Sequence, residues 1–274
     1  MKFRRSGRLV DLTNYLLNHP QESVPLTFFS ERYQSAKSSI SEDLAIIKQT
    51  FQQQGIGTLI TASGAAGGVK FIPKVEREEA EEMIRDLCEL MEDRERILPG
   101  GYLYLMDIIG RPDLIKKIGR LFASVYADKG IDYVVTVATK GIPIAYAVAE
   151  LLNVPVVVVR RDSKITEGST VSINYLSGSS KRIQTMLLSK RSLKEHANVL
   201  IIDDFMKAGG TINGMNSLLE EFQAEVVGIG VLMEVIADEE RLVDDYVSLL
   251  KLEYLDSKKS SIRVNQGNYF LNLA

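Results

Sequence analysis

The segment at residues 199–214, VLIIDDFMKAGGTING, constrains the fold more than any other part of the chain. Its first four residues are all apolar, and a strand without polar positions has both faces buried. Such strands occur in parallel sheets that carry helices on both sides. Two aspartates and a glycine-rich turn then lead into a helical pattern. The segment therefore predicts a strand-turn-helix unit in an α/β fold with a doubly wound parallel sheet.

The residues that follow this strand form a candidate ligand site. Asp203 and Asp204 lie at the carboxyl end of the strand, where open α/β sheets bind ligands. Gly209 and Gly210 let a phosphate approach the backbone at a helix start, and Thr211 adds a hydroxyl. Carboxylates only accept hydrogen bonds, so the aspartates suit the vicinal hydroxyls of a ribose. The segment predicts a ribose-phosphate site; the alternative is a unit whose aspartates only cap the helix.

A second turn lies at the same edge of the predicted sheet. Strand and helix patterns alternate between residues 132 and 159, and this alternation places Thr139, Lys140 and Gly141 at the carboxyl end of a strand. The backbone amides of this turn and its lysine suit a second phosphate group. We therefore expect both turns to face one crevice.

Further cations follow the next strand. Arg160, Arg161 and Lys164 would oppose the charges of a polyphosphate ligand, and we take Arg160 and Lys164 as candidate contacts. The polar segment at residues 166–192 contains two β-prone pieces and predicts a two-stranded β-flag. Tyr102 follows a Pro-Gly-Gly turn and either packs in the core or leans over the ligand.

The amino-terminal part differs from the remainder in charge. Residues 1–74 carry nine Lys and Arg against five acids, a net charge of +4, whereas the whole chain has −3. Three short helical patterns are followed by a β-hairpin pattern with a glycine-rich tip, which together predict a winged helix. A basic winged helix suits double-stranded DNA; the alternative is a basic module for protein contacts.

We expect the third helix of this domain to enter the major groove with its first turn. Small hydroxyl side chains there can reach phosphates and base edges, while cations hold phosphates. The predicted DNA contacts are Arg5, Arg8, Lys37, Ser38, Ser39 and Lys70. A homodimer is expected, because a winged helix gains specificity by pairing half-sites.

Length and composition limit the remaining choices. The 274 residues suffice for two domains, and we place them at residues 1–74 and 75–274. No apolar run reaches the roughly 18 residues of a membrane span, and the chain does not open on a signal peptide pattern, so a cytoplasmic location is expected. The single cysteine, Cys88, lies in a helical pattern and suits a core position better than a nucleophile.

The 199–214 segment resembles the phosphoribosyl pyrophosphate (PRPP) motif of type I phosphoribosyltransferases. Lys207 and Ala208 stand where these enzymes usually carry small or hydroxyl residues. Over its whole length the chain resembles the purine operon repressor family of Gram-positive bacteria, in which a winged helix is fused to a type I phosphoribosyltransferase-like domain. The resemblance rests on the basic start and on SAKSSISED, GAAGGVKF, ILPGGY, VATKGIP, KITEGSTVSINYLSGSS and IIDDFMKAGGTING.

The resemblance implies a sensor domain without a catalytic cofactor. PRPP would be the effector, with or without Mg²⁺, and guanosine tetraphosphate would compete for its site. Asp203 and Asp204 would hold the ribose hydroxyls, residues 206–211 the 5′-phosphate, and residues 139–141 the pyrophosphate. Together with the candidates taken from the residue pattern alone, the predicted ligand contacts are Tyr102, Thr139, Lys140, Gly141, Arg160, Lys164, Asp203, Asp204, Phe205, Met206, Lys207, Ala208, Gly209, Gly210 and Thr211.

Two functions follow from the sequence. The first is a PRPP-responsive repressor of purine biosynthesis and salvage genes; the second is an active purine phosphoribosyltransferase with an appended regulatory domain. In the register of the catalytic glutamate of the adenine and xanthine enzymes, Gly168 and Ser169 stand here, with Glu167 nearby. A cation at Lys207 favours ground-state binding, which tightens affinity without accelerating chemistry. We therefore expect the regulator.

Overall fold

The computed structural model describes residues 3–62, 67–162, 168–176, 182–236, 240–257 and 259–273. Within these ranges no helix is long and apolar enough to cross a membrane. One cluster of buried apolar side chains is confined to residues 12–71, and two others flank a sheet in the rest of the chain. The domain boundary near residue 74 stays a prediction, and the end of the first cluster at Phe71 agrees with it.

The amino-terminal domain contains three helices and a hairpin. The helices are α1 (Arg5–Asn18), α2 (Leu26–Tyr33) and α3 (Lys37–Gln53), and the hairpin strands are β1 (Gly57–Thr61) and β2 (Val69–Pro73). Leu12 and Leu16 of α1 are fully buried against Phe29 and Phe51 from the other helices. The amphipathic faces of three helices thus close one core, and the antiparallel hairpin completes a winged helix.

An ion pair inside this domain joins α1 to α3. Arg8 is buried, and its Nε lies 2.5 Å from Oδ2 of the fully buried Asp43. The Arg8 Nη1 atom donates to Ser35 Oγ at 3.0 Å, and Arg5 Nε donates to Asp43 Oδ1 at 3.1 Å. Arg8 therefore stabilises the packing of the domain and is largely buried, while its role as a DNA contact stays a prediction. Charge and position suggested a phosphate contact, but the sequence does not show the partner that lies 35 residues away.

The second domain is a six-stranded sheet covered by helices. The connecting elements are α4 (Arg77–Met91), the small hairpin β3 (Ile97–Leu98) and β4 (Tyr102–Leu103), α5 (Met106–Ile109) and α6 (Pro112–Tyr126). The sheet elements and their helices are β5 (Tyr133–Val137), α7 (Gly141–Leu152), β6 (Val156–Val159), β9 (Asn198–Met206), α8 (Gly210–Glu220), β10 (Glu225–Val235), β11 (Val247–Asp256) and β12 (Ser261–Gln266). The strand order is β12-β11-β10-β9-β5-β6, parallel except for β12.

Strand β9 lies in the middle of the sheet and is buried on both faces. Leu200 and Ile202 belong to the cluster beneath α6 and α7, whereas Val199 and Ile201 belong to the cluster on the α8 side. This alternation follows from the two-residue period of a strand. The predicted flag is present as an antiparallel pair, β7 (Thr170–Leu176) and β8 (Ile183–Ser189), which packs on the α8 side.

Near the end of the chain the sequence pattern predicts a short helix at residues 237–242 and edge strands at residues 247–255 and 262–264. Two of these local predictions differ from the structure. The pattern at residues 247–255 predicted an edge strand, but β11 lies between β10 and β12. The side-chain pattern of a strand does not show which strand pairs with it, and β12 forms the edge instead. A short helix was predicted at residues 237–242; residues 240–242 are not helical, and residues 237–239 lie outside the described ranges.

We expect the substitution Arg8→Met to destabilise the amino-terminal domain by about 3 kcal/mol, because Asp43 would stay buried after losing its ion pair with Arg8. Hydrogen exchange of the α1 and α3 amides measures this loss domain by domain. The control is Arg4→Met at a neighbouring exposed position, which should change the stability by less than about 0.5 kcal/mol. Unchanged protection combined with lost DNA affinity would instead place Arg8 at a phosphate.

Candidate functional site

Residues of both predicted turns line one cavity at the carboxyl ends of β5 and β9. Its volume is about 290 Å³. The lining residues are Val137, Ala138, Thr139, Lys140, Arg161 and the continuous run from Asp203 to Ile212. Adjacent parallel strands end at one edge of a sheet, so residues more than 60 positions apart in the sequence meet here. The prediction that the two turns share a crevice is confirmed.

Two helices begin at this cavity. Helix α7 starts at Gly141 after the N-cap residue Lys140, and α8 starts at Gly210 after Gly209. Gly209 has no side chain and a lysine side chain has no acceptor, so neither N-cap residue can satisfy the first amides of its helix. The positive ends of two helix dipoles, together with these amides, suit two anionic groups.

Glycine is required at both helix starts. Gly209 has φ of +82°, a left-handed conformation, and a Cβ there would lie 3.1 Å from Val243 Cγ2. A Cβ on Gly141 would collide with the Thr136 hydroxyl and would lie 3.4 Å from Asp203 Oδ1. The hydroxyl of Thr136 is buried and has no hydrogen-bond partner within the described ranges. The cavity floor is therefore closely packed beneath the first turn of α7.

The two carboxylates occupy different environments. Asp203 is buried, and its Oδ1 accepts a hydrogen bond from the Asp204 amide at 2.9 Å. Burial, and secondly the neighbouring Asp204 carboxylate, raise the pKa of Asp203 well above its ordinary value. Burial also raises the pKa of Asp204, while the charges of Lys140 and Arg161 act in the opposite direction. A ligand that donates hydrogen bonds to these oxygens would favour the ionised form of the pair.

The turn at residues 207–209 is supported from behind by the segment that precedes β11. The Leu242 amide donates to the Ala208 carbonyl at 3.0 Å, next to the contact between Val243 and Gly209. Arg241, at the base of this segment, pairs with the buried Glu234 at 2.6 Å. Glu234 also accepts hydrogen bonds from Tyr246 at 2.7 Å and Ser248 at 2.8 Å. These contacts fix the rear of the glycine turn to the end of β10.

The structure separates the predicted ligand contacts into three groups. Those that line the cavity or form its floor are Thr139, Lys140, Gly141, Asp203, Asp204, Phe205, Met206, Lys207, Ala208, Gly209, Gly210 and Thr211. Arg160 is not among the lining residues, and its backbone pairs with Leu187 of β8. Tyr102 is 69% exposed on β4 and is also outside the lining. Lys164 lies outside the described ranges. The ligand roles of all these residues stay predictions.

Arg161 lines the cavity in place of Arg160. Both arginines follow β6, and successive side chains of a strand point to opposite sides. Strand alternation was thus the signal that could have separated them, but the register at the end of β6 depends on the bridge between Arg160 and Leu187.

The predicted DNA contacts also divide by position. Lys37 and Ser38 are exposed at the first turn of α3, and Ser39 is partly exposed. The Arg5 side chain is 57% exposed although it pairs with Asp43. Lys70 lines a cavity of about 400 Å³ between the two domains, together with Gln21, Tyr126 and Ala127. The candidate nucleic-acid surface is therefore the start of α3 with Arg5, and Lys70 lies at the domain interface.

Family models match both domains. The model described as "Bacterial purine repressor, N-terminal" matches residues 4–73, and the phosphoribosyl transferase domain model matches residues 107–265. The adenine phosphoribosyltransferase of Thermoanaerobacter pseudethanolicus aligns with a TM-score of 0.51 at 20% identity, over 61% of this chain and 98% of that chain. The class is thus a DNA-binding domain joined to a domain with the phosphoribosyltransferase fold, and the predicted fold is confirmed.

Relatives that match nearly the whole chain are transcription regulators. The purine biosynthesis transcriptional repressor PurR of Bacillus subtilis is 68% identical over 269 residues, which cover 98% of this chain and 94% of the relative. The purine biosynthesis transcriptional activator PurR of Lactococcus lactis subsp. lactis is 52% identical over 97% of this chain and 98% of the relative. The chain belongs to this family of bacterial purine repressors, as its sequence motifs predicted.

We expect Asp203→Asn to stabilise the protein without ligand at neutral pH by roughly 1 kcal/mol or more. The folded pKa of Asp203 lies above the unfolded value, so wild-type stability falls as pH rises between these two values. The gain should therefore disappear as pH is lowered below about 4, where both states bind the proton. Urea unfolding between about pH 3 and pH 8 measures it. Glu220→Gln, at the exposed far end of α8, is the control, and equal stabilities at pH 7 would contradict the prediction.

Proposed function

We propose that the chain is a PRPP-responsive transcriptional repressor of purine biosynthesis and salvage genes that does not catalyse phosphoribosyl transfer. The observation that carries the proposal is the pairing of a DNA-binding domain with the cavity between α7 and α8, in a chain whose full-length relatives are regulators. The protein would bind operator DNA as a homodimer in the cytoplasm.

The cavity has the chemical groups that PRPP requires. The α8 amides and Thr211 would hold the 5′-phosphate, the α7 amides and Lys140 the pyrophosphate, and Asp203 with Asp204 the ribose hydroxyls. Guanosine tetraphosphate offers similar anionic groups on a ribose and would compete. Within the described ranges, no group of three or more His, Cys, Asp or Glu side chains could hold a metal. Where Mg²⁺ accompanies the effector, the pyrophosphate oxygens would supply part of its shell.

The alternative is an active purine phosphoribosyltransferase. It is favoured by one comparison: a xanthine phosphoribosyltransferase of Lactococcus lactis subsp. cremoris is 35% identical over 146 residues, which cover 52% of this chain and 74% of that enzyme. Against it, an enzyme must orient a nucleobase and exclude water from the reacting carbon, and Lys207 at the cavity wall supports tight binding of the ground state.

The decisive experiment measures DNA affinity for purine-gene control regions at fixed salt, with PRPP or guanosine tetraphosphate as titrant. We expect PRPP to change the Kd of the wild type by at least tenfold, and guanosine tetraphosphate to reverse that change by competition. The double variant Asp203→Ala/Asp204→Ala should bind DNA but lose the response, whereas Glu220→Gln should keep it. If the wild type does not bind that DNA specifically, the regulator proposal fails.

Transfer activity is tested separately with adenine, xanthine and hypoxanthine. We expect no nucleotide product above the level of the Asp203→Ala/Asp204→Ala variant, because PRPP would be held without an oriented nucleophile. Mass spectrometry of the products with PRPP and Mg²⁺ measures this. Product formation that depends on Asp203 and Asp204 would make the enzyme the leading account.

A further inference from the structure

The carboxyl-terminal half of α6 is where the amino-terminal domain contacts the second domain. The Gln21 side chain donates to the Ala127 carbonyl at 3.1 Å, directly after α6. Val75, where the chain leaves the hairpin, donates its amide to Ser124 Oγ at 3.0 Å. Arg120 of the same helix makes a third contact, to the Gly55 carbonyl. Two of these hydrogen bonds, from Gln21 and to Gly55, cross between the domains, and the Val75 contact anchors the connection that follows the hairpin.

Arg120 makes the most specific of these contacts. Its Nη1 donates to Glu79 Oε1 at 2.9 Å and its Nη2 to Glu79 Oε2 at 3.2 Å, a bidentate pair with α4. Its Nη2 also donates to the Gly55 carbonyl. Both charged side chains are about 70% buried, with exposures of 27% and 30%. The planar guanidinium therefore fixes three segments at once, which an exposed ammonium on a flexible chain could not do.

Gly55 connects this contact to α3, the helix that is expected to enter the major groove. It follows the last residues of α3, its amide donates to Gln52 at 3.3 Å, and its φ is +62°. It lies so close to Glu79 that a Cβ would be 3.1 Å from the Glu79 Cδ. A change in the position of Arg120 would therefore move the carboxyl end of α3, whose first turn carries Lys37 and Ser38.

The residue before Arg120 lies against the helix that begins in the ligand cavity. A Cβ on Gly119 would lie 2.8 Å from Ala147 Cβ and 2.9 Å from the Ala147 carbonyl carbon, so the backbones of α6 and α7 are in close contact. Helix α7 runs from Gly141 at the cavity floor to Ala147 over six residues, about 9 Å. A closely packed contact without a side chain between the helices cannot absorb a shift of α7, and so transmits it to α6.

We propose that Arg120 is the positioning residue through which occupancy of the cavity changes the DNA-binding domain. Ligand at the first turn of α7 displaces this helix against Gly119, and Arg120 conveys the displacement of α6 to Gly55 and α3. The inference rests on the proposed function, because it requires that an anionic ligand binds at α7 and alters DNA affinity. It assigns the coupling between the two sites to one guanidinium and its hydrogen bonds to Glu79 and Gly55.

The test compares the coupling ratio, which is the DNA Kd with saturating PRPP divided by the DNA Kd without it, in the wild type and in Arg120→Met. We expect the ratio of the variant to move at least tenfold towards one, while its Kd for PRPP without DNA stays within about twofold. Arg120→Lys keeps the charge but not the bidentate geometry and should be intermediate. Arg85→Met, which removes an exposed guanidinium from α4, should keep the wild-type ratio.

The outcomes separate this inference from the function on which it rests. A wild type whose DNA affinity does not respond to PRPP contradicts the proposed function. A wild type that responds, with the same ratio in Arg120→Met, overturns the role of Arg120 and leaves Gln21 or the dimer as the route. Should Arg120→Met not fold, Glu79→Gln weakens the same pair and is measured in the same way.

A second measurement uses only the wild-type protein. Hydrogen exchange at residues 50–56 should change at least threefold on addition of PRPP, because these amides lie next to the Arg120 contact, whereas the amides in the middle of α1 should not change. Unaltered exchange at residues 50–56, in a protein whose DNA affinity responds to PRPP, would refute the inference.

Discussion

The burial of β9 on both faces is the constraint on which the rest of the structure depends. A strand with apolar side chains on both sides must lie inside a sheet that helices cover, and β9 accordingly has β5 and β10 as parallel neighbours. Where this strand leaves the core, its next residues are Asp203 and Asp204. The position of the carboxylates at the cavity floor is thus a consequence of the hydrophobic effect acting on the four residues before them.

The cavity brings cationic groups and two carboxylates together, and such charges are costly to bury. Two helix starts and the cations Lys140, Arg161 and Lys207 attract anions, while two carboxylates lie between them. Without ligand, burial raises the pKa of Asp203, so the folded protein loses stability when that group ionises. A molecule that combines phosphates with vicinal hydroxyls would satisfy both sets of groups. Buried charge of this kind lowers the stability of the folded protein, as is common at functional sites.

The same helix pair serves the ligand cavity and the domain interface. Helix α7 begins at the cavity and packs on α6, and α6 with the residue directly after it carries hydrogen bonds to the amino-terminal domain. No flexible linker separates the two domains within the described ranges, because Pro73 ends β2 and Val75 is already buried in the second core. A regulator with this construction can couple two sites by the movement of packed helices.

Local chemistry in the sequence determined the elements, the glycine turn after β9, the winged helix and the family. Each of these depends on residues close together in the chain: apolar alternation sets strands and helices, and the order of aspartates, glycines and a hydroxyl sets the turn. The tertiary structure decided what depends on distant partners. It buried Arg8 against Asp43, directed Lys70 to the domain interface, chose Arg161 over Arg160 as a cavity residue, and placed β11 inside the sheet. The local structure around a residue can be predicted from its neighbours in sequence. The partner of its side chain is set by packing between segments that are far apart in sequence.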